Sequence, residues 1–238
     1  VEKRGPLFPE VIKSEADVRK LTSGADAAAE LQYVYDAVAL TRQQLDGRVP
    51  LIGFSGAPWT LLAYMVEGSG SKTFSKAKKL LYTDPKLAHQ LLEKISETII
   101  AYLKLKVESG AQLVQVFDSW AGILSPAQYR EFALPYIKVI AESITDVPVT
   151  VFSKGAWFVY KDLGQVDCQV VGLDWNTPPE LAREWIGPDK VLQGNLDPCQ
   201  LYAPPEEVAQ AAVAMLDRYG RGHIANLGHG VYPDTPLE

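Results

Sequence analysis

Cysteine is scarce. Cys168 and Cys199 are the only two in 238 residues, too few for a disulfide framework or a four-thiolate zinc site, and a reducing cytosol is the simple reading. Neither stands at ligand spacing from a histidine, so no metal is expected. A basic surplus is lacking as well: 23 Lys and Arg against 29 Asp and Glu give a formal charge of −6. That argues against nucleic acid or an anionic membrane as partner, but leaves room for a polyanionic small molecule held by the local field of a pocket. The longest uncharged run, 49–66, is broken by Pro50, Gly53, Ser55, Gly56, Pro58 and Thr60 and reads as strand, turn and helix rather than a membrane span. No Gly-x-Gly-x-x-Gly follows a strand, and there is no Walker loop or Schiff-base lysine context, so no cofactor is expected. An initiator Met and a signal segment are also missing at Val1, while 234–238 reads as a turn and a helix start. Both ends are expected to be cuts through a longer protein.

What is present is a repeated unit. Short apolar runs at 49–54, 113–117, 147–152, 170–173, 191–192 and 223–227 do not alternate strictly, the pattern of strands buried on both faces. Capped amphipathic segments separate them. Asp84-Pro85 opens a helix running to Gly110, and Ser125-Pro126 opens one that Pro135 should kink. Thr177-Pro178 opens a third and Pro204-Pro205 a fourth ending near Gly220, while 26–45 reads as one helix and 1–24 as an irregular arm. Six strands, each followed by helix, predict a single-domain α/β chain spanning 1–238: a TIM-type (β/α)8 barrel with about six of eight units visible. Two strands are expected before Val1 and the last helix after Glu238. A doubly wound sheet is the alternative, but polar residues follow several different strands, as on a barrel rim, instead of gathering at one switch point.

Three positions stand out. Tyr64 lies about two turns into a helix opened by Pro58, and its hydroxyl needs a partner whether it serves the core or a ligand. Ser119 follows the strand end Phe117-Asp118; it is a nucleophile or a turn cap, with no Gly-x-Ser-x-Gly elbow and no base at triad spacing. His229 sits between two glycines beyond the last strand, suited to acid–base or hydrogen-bonding work or simply facing solvent. His89 and His223 read as structural, and Trp59 as core.

The run Gly53 to Gly68, Phe117-Asp118-Ser119-Trp120-Ala121-Gly122, Leu192-Gln193-Gly194-Asn195-Leu196-Asp197-Pro198 and Asn226-Leu227-Gly228-His229-Gly230 together resemble the uroporphyrinogen decarboxylase family across essentially the whole chain. The resemblance implies a (β/α)8 barrel, usually a homodimer, in the cytoplasm (or plastid stroma in a plant). It implies removal of the four acetate carboxyls of uroporphyrinogen III to give coproporphyrinogen III, with no metal or prosthetic group, in haem and chlorophyll biosynthesis. Tyr64 then orients the substrate and the catalytic acid, and Ser119 and His229 hydrogen-bond its carboxylates. The family's arginine-rich motif and pyrrole-binding aspartate fall upstream of the matched region, so the 238 residues alone are expected to be inactive. Two alternatives share the fold. Zinc-dependent corrinoid-type methyltransferases need thiolates where this chain has Phe152-Ser153-Lys154 and Asn226-Leu227-Gly228. A non-catalytic tetrapyrrole-binding barrel would retain porphyrinogen without converting it.

Overall fold

The computed structural model describes residues 7–236. Each apolar run forms a parallel strand: β1 (Ile52–Gly56), β2 (Leu113–Asp118), β3 (Val149–Ser153), β4 (Val170–Gly172), β5 (Val191–Leu196) and β6 (His223–Leu227). They make one sheet in the order β1-β2-β3-β4-β5-β6. This sequential order rules out the doubly wound alternative, which reverses direction at a switch point. The sheet is strongly curved. Gln193 Nε2 on β5 donates to Gln115 Oε1 on β2 at 3.1 Å, although strands three places apart in a flat sheet lie ~14 Å apart. The concave face also carries Phe54, Phe117 and Phe152, packed edge to face with centroids 5.9 Å apart in each successive pair. Among the described residues β1 and β6 each pair on one side only, so the barrel wall is incomplete.

Helices cover the convex face. They are α1 (Glu15–Lys20), α2 (Gly24–Ala29), α3 (Gln32–Leu45), α4 (Pro58–Glu67), α5 (Ser75–Thr83), α6 (Pro85–Glu108), α7 (Pro126–Phe132), α8 (Leu134–Ser143), α9 (Tyr160–Leu163), α10 (Pro179–Ile186) and α11 (Pro205–Tyr219). α6 is the longest. Asp84 caps it by accepting from the Leu87 N–H, Pro85 stands in its first turn, and Leu87, Leu91, Ile95, Ile99 and Leu103 are buried. Each such side chain contributes about 1.5–3 kcal/mol on full burial.

Three expectations need correction. The helix expected over 26–45 is two. Leu31 N–H bonds to Ala28 O, three residues back, and Tyr35 Oη caps that same carbonyl at 2.7 Å, which tightens and ends the first helix. The helix opened by Ser125 does not merely kink at Pro135; it breaks at Ala133 (φ −122°, ψ −57°), because Pro135 has no N–H to donate and its ring crowds the preceding turn. The expected irregular arm contains α1, which Ser14 caps from the Asp17 N–H; residues 1–6 of that arm lie outside the described residues.

Candidate active site

A cleft of about 380 Å³ opens at the C-terminal ends of the strands. Alternation along β2 decides what faces it. Gln115, Phe117 and Ser119 line the cleft, whereas Val114, Val116 and Asp118 are buried against the helices. Across from Ser119, Asn226 of β6 and His229 beyond it line the cleft. The structure thus brings Ser119 and His229 to one cavity. Tyr64 is not among the residues lining it. It is half-buried on α4, with its ring 6.3 Å from Trp120 and 5.5 Å from Phe74, so it stands against the residue next to Ser119.

The rim is held by close backbone approaches. A Cβ on Gly228 would fall 2.4 Å from Trp175 N, and one on Gly122 2.9 Å from Lys154 O, so neither position admits a side chain without moving backbone. Asp174, buried, accepts from the N–H groups of Gly155 and Asn176, while its carbonyl accepts from Asn195 Nδ2. Asn195 Oδ1 in turn accepts from the Tyr219 hydroxyl at 2.7 Å. These bonds tie the turns after β3 and β4 to the end of β5 and to α11.

His229 Nδ1 accepts from the Gly230 N–H, and its ring lies 6.3 Å from that of Trp175. The Lys154 ammonium sits 5.7 Å from the same Trp175 ring. Surrounding protein holds the imidazole pKa below its ordinary value, first by desolvation and then through the Lys154 charge, with Asp174 opposing. Burial likewise lowers the Lys154 pKa. Lys154 makes no ion pair among the described residues, leaving a partly desolvated cation beside a cleft otherwise lined by neutral groups. The place of Lys154 over Trp175 depends on the turns after β3 and β4 meeting, which no local sequence pattern encodes.

Behind the cleft wall, α4 is bonded to the Ser119–Trp120 turn. Thr60 Oγ1 donates to Asp118 Oδ1 at 2.7 Å and accepts from Trp120 N–H at 3.2 Å; Trp59 Nε1 donates to Trp120 O at 3.0 Å. Trp59 is fully buried, as expected for a core residue. His89 stacks on Phe132 and bonds the Tyr136 hydroxyl, and His223 stacks on Tyr219; both are structural. Cys168 is buried, its thiol pushed up to about 11 by desolvation, and Cys199 is exposed. Among the described residues no three His, Cys, Asp or Glu side chains cluster to hold a metal.

The family model described as uroporphyrinogen decarboxylase (URO-D) matches residues 1–238. Proteins named uroporphyrinogen decarboxylase from Ovis aries and Homo sapiens are each 48% identical over 245 residues, covering 99% of this chain and 67% of their own length. One from Chlorobium limicola is 48% identical over 244 residues, covering 99% and 69%. The chain therefore spans about two thirds of these relatives. Among solved structures, a methyltransferase from Methanosarcina mazei superposes with a TM-score of 0.79 at 21% identity, over 98% of this chain and 66% of that one. A B12-independent methionine synthase from Shewanella superposes at 0.60 with 13% identity, over 86% and 60%. These two likenesses show a shared fold and nothing more. A match along its whole length, together with identities near one half, places the chain in the uroporphyrinogen decarboxylase family.

Proposed function

We propose that Tyr64, Ser119 and His229 form the substrate-contacting set of a uroporphyrinogen decarboxylase, a carboxy-lyase acting on uroporphyrinogen III. The family membership supplies the reaction class. The observation that carries the residue roles is the convergence of Ser119, after β2, and His229, after β6, on one cleft of hydrogen-bonding and aromatic groups.

The chemistry needs little from the protein beyond binding and proton traffic. Protonation of a pyrrole carbon makes the ring cationic and imine-like, so it accepts the electron pair released as an acetate carboxyl leaves as CO2. Reprotonation of the exposed methylene carbon and loss of the ring proton complete one cycle, and four cycles give coproporphyrinogen III. The substrate is its own electron sink, so no prosthetic group is invoked. Ser119 Oγ and the His229 imidazole hydrogen-bond substrate carboxylates. Tyr64, whose hydroxyl has no hydrogen bond to protein among the described residues, orients the substrate and the catalytic acid. The thiolate-dependent methyltransferase reading gains nothing from the fold likeness, since neither Phe152-Ser153-Lys154 nor Asn226-Leu227-Gly228 offers a thiolate. The working form is a homodimer in the cytoplasm, or in plastid stroma if the source is a plant; no helix among the described residues is long and apolar enough to cross a membrane.

The test is anaerobic incubation of the chain, extended at its N-terminus to the length of its relatives, with uroporphyrinogen III, with products separated after oxidation; the 238 residues alone should not turn over. Successive loss of four carboxyls, slowed by Ser119→Ala and by His229→Asn, is the expected outcome. Retention of uroporphyrinogen without conversion would leave a tetrapyrrole-binding barrel instead.

A further inference from the structure

Asp118 is fully buried on the helix side of β2, and nothing in the reaction above gives it a task. Its Oδ2 has no hydrogen-bond partner among the described residues, an arrangement that costs stability. Its other atoms are fully engaged at the strand end. Oδ1 accepts from Thr60 of α4, and its carbonyl accepts from the Lys154 N–H at 3.1 Å. Thr60 relays the contact onward by accepting from the Trp120 N–H, and Trp59 closes the loop on the Trp120 carbonyl. The carboxyl thus joins the turn holding Ser119 to the helix holding Tyr64, while the backbone carbonyl of the same residue holds the loop carrying Lys154.

We propose that Asp118 is a positioning residue: through Thr60 it locks the Ser119–Trp120 turn against α4, and so sets Ser119 and Tyr64 relative to one another. This rests on the substrate roles given above to those two side chains. Burial pushes the Asp118 carboxyl up to about 7, with the Thr60 bond pulling the other way. The groups facing it are Thr60 from α4, Tyr129 from α7, whose hydroxyl bonds to Ser153, and Ser153 on β3, in register with Asp118. No Lys, Arg or His side chain bonds to it among the described residues. Above pH 7 the ionised carboxylate holds Thr60 by a charge-assisted bond; below, the bond is neutral and weaker. The lock therefore tightens as pH rises through 7. Folding stability moves the opposite way. With an unfolded value near 3.8 and a folded value near 7, the native state binds the extra proton between them, so stability falls as pH rises through that window.

The experiment pairs turnover with a measurement that needs no substrate. Thr60→Val should lower kcat/KM at least tenfold with the near-ultraviolet dichroism unchanged, while Thr60→Ser, which keeps the hydroxyl, stays within twofold. Asp118→Asn should abolish the activity limb near pH 7 and the loss of Tm between pH 4 and 7, and adding it to Thr60→Val should cost nothing further. In the substrate-free protein, the Trp120 amide resonance should titrate with the Asp118 carboxyl near pH 7 and cease to do so in Thr60→Val. Additive losses, an intact pH limb in Asp118→Asn, or a Trp120 amide that does not titrate would each overturn the proposal. If the wild-type protein fails to decarboxylate, the function falls, and the amide titration alone decides the lock.

Discussion

A single hydroxyl on α4 carries the sharpest functional expectation. Tyr64→Phe removes no packing, because the ring keeps Phe74 and Trp120, and the hydroxyl has no partner to lose among the described residues. We expect kcat/KM to drop by about 10²-fold or more, in the range of positioned acid–base groups, with Tm unchanged; equal activity would return Tyr64 to the core. His229 offers a second check. Lys154→Met removes a repelling cation, so the imidazole pKa should rise toward its ordinary value in a ring-proton titration. Because that pKa is depressed in the fold, the neutral ring's contribution to stability is present above about 6.5 and fades as pH falls below it. Ser119 and His229 were legible in the sequence, since a polar residue immediately beyond an apolar strand has few places to go. Asp118 was not. A carboxylate at a strand end reads alike whether it faces cleft or helix, and only the parity of Gln115 and Phe117 against the cavity shows that it turns inward to α4.

Local punctuation governs the helices. Ser125 and Gln128 form a reciprocal capping box at the start of α7; Ser125→Ala should cost about 1 kcal/mol in chemical denaturation. Leu103, fully buried in α6, should cost about 2–5 kcal/mol as Leu103→Ala, because the rigid sheet behind it cannot close the void. Caps and prolines of this kind made most helix starts readable. The split at Leu31 was hidden because a hydroxyl seven residues from its acceptor, Tyr35 on Ala28, leaves no periodic trace. The length of β5 is hidden for another reason. Gln193, Gly194 and Asn195 look like a turn by composition, yet they continue the strand because each pairs in register with β6.

At the scale of the molecule, strand number and direction follow from apolar runs separated by helices, whereas curvature depends on contacts such as Gln115 with Gln193 that no local pattern encodes. The unpaired side of β1 leaves Phe54 57% exposed and Ile52 41% exposed. One edge group is protected: Lys106 on α6 donates from Nζ to the Phe54 carbonyl at 2.8 Å and lies over the Phe54 and Tyr102 rings, its pKa lowered to about 8 by desolvation. The rest of the edge can template association. The 238 residues expressed alone should therefore self-associate with rising concentration by light scattering, and Ile52→Lys should reduce it. A sharp monomer at high concentration would show that the edge is harmless.

Because each strand pairs only with its immediate predecessor and successor in the chain, the sheet can lengthen one unit at a time as the polypeptide leaves the ribosome. The order of assembly leaves a mark on the order of opening. β3 is buried along its whole length, whereas β6 is at best half-buried at every position and, among the described residues, flanked on one side only. Amide protons of β6 should exchange with deuterium first, and those of β3 among the last. Among the described residues the strand that leads to His229 thus has the fewest neighbours, and exchange along β6 reports how firmly that side of the cleft is fixed.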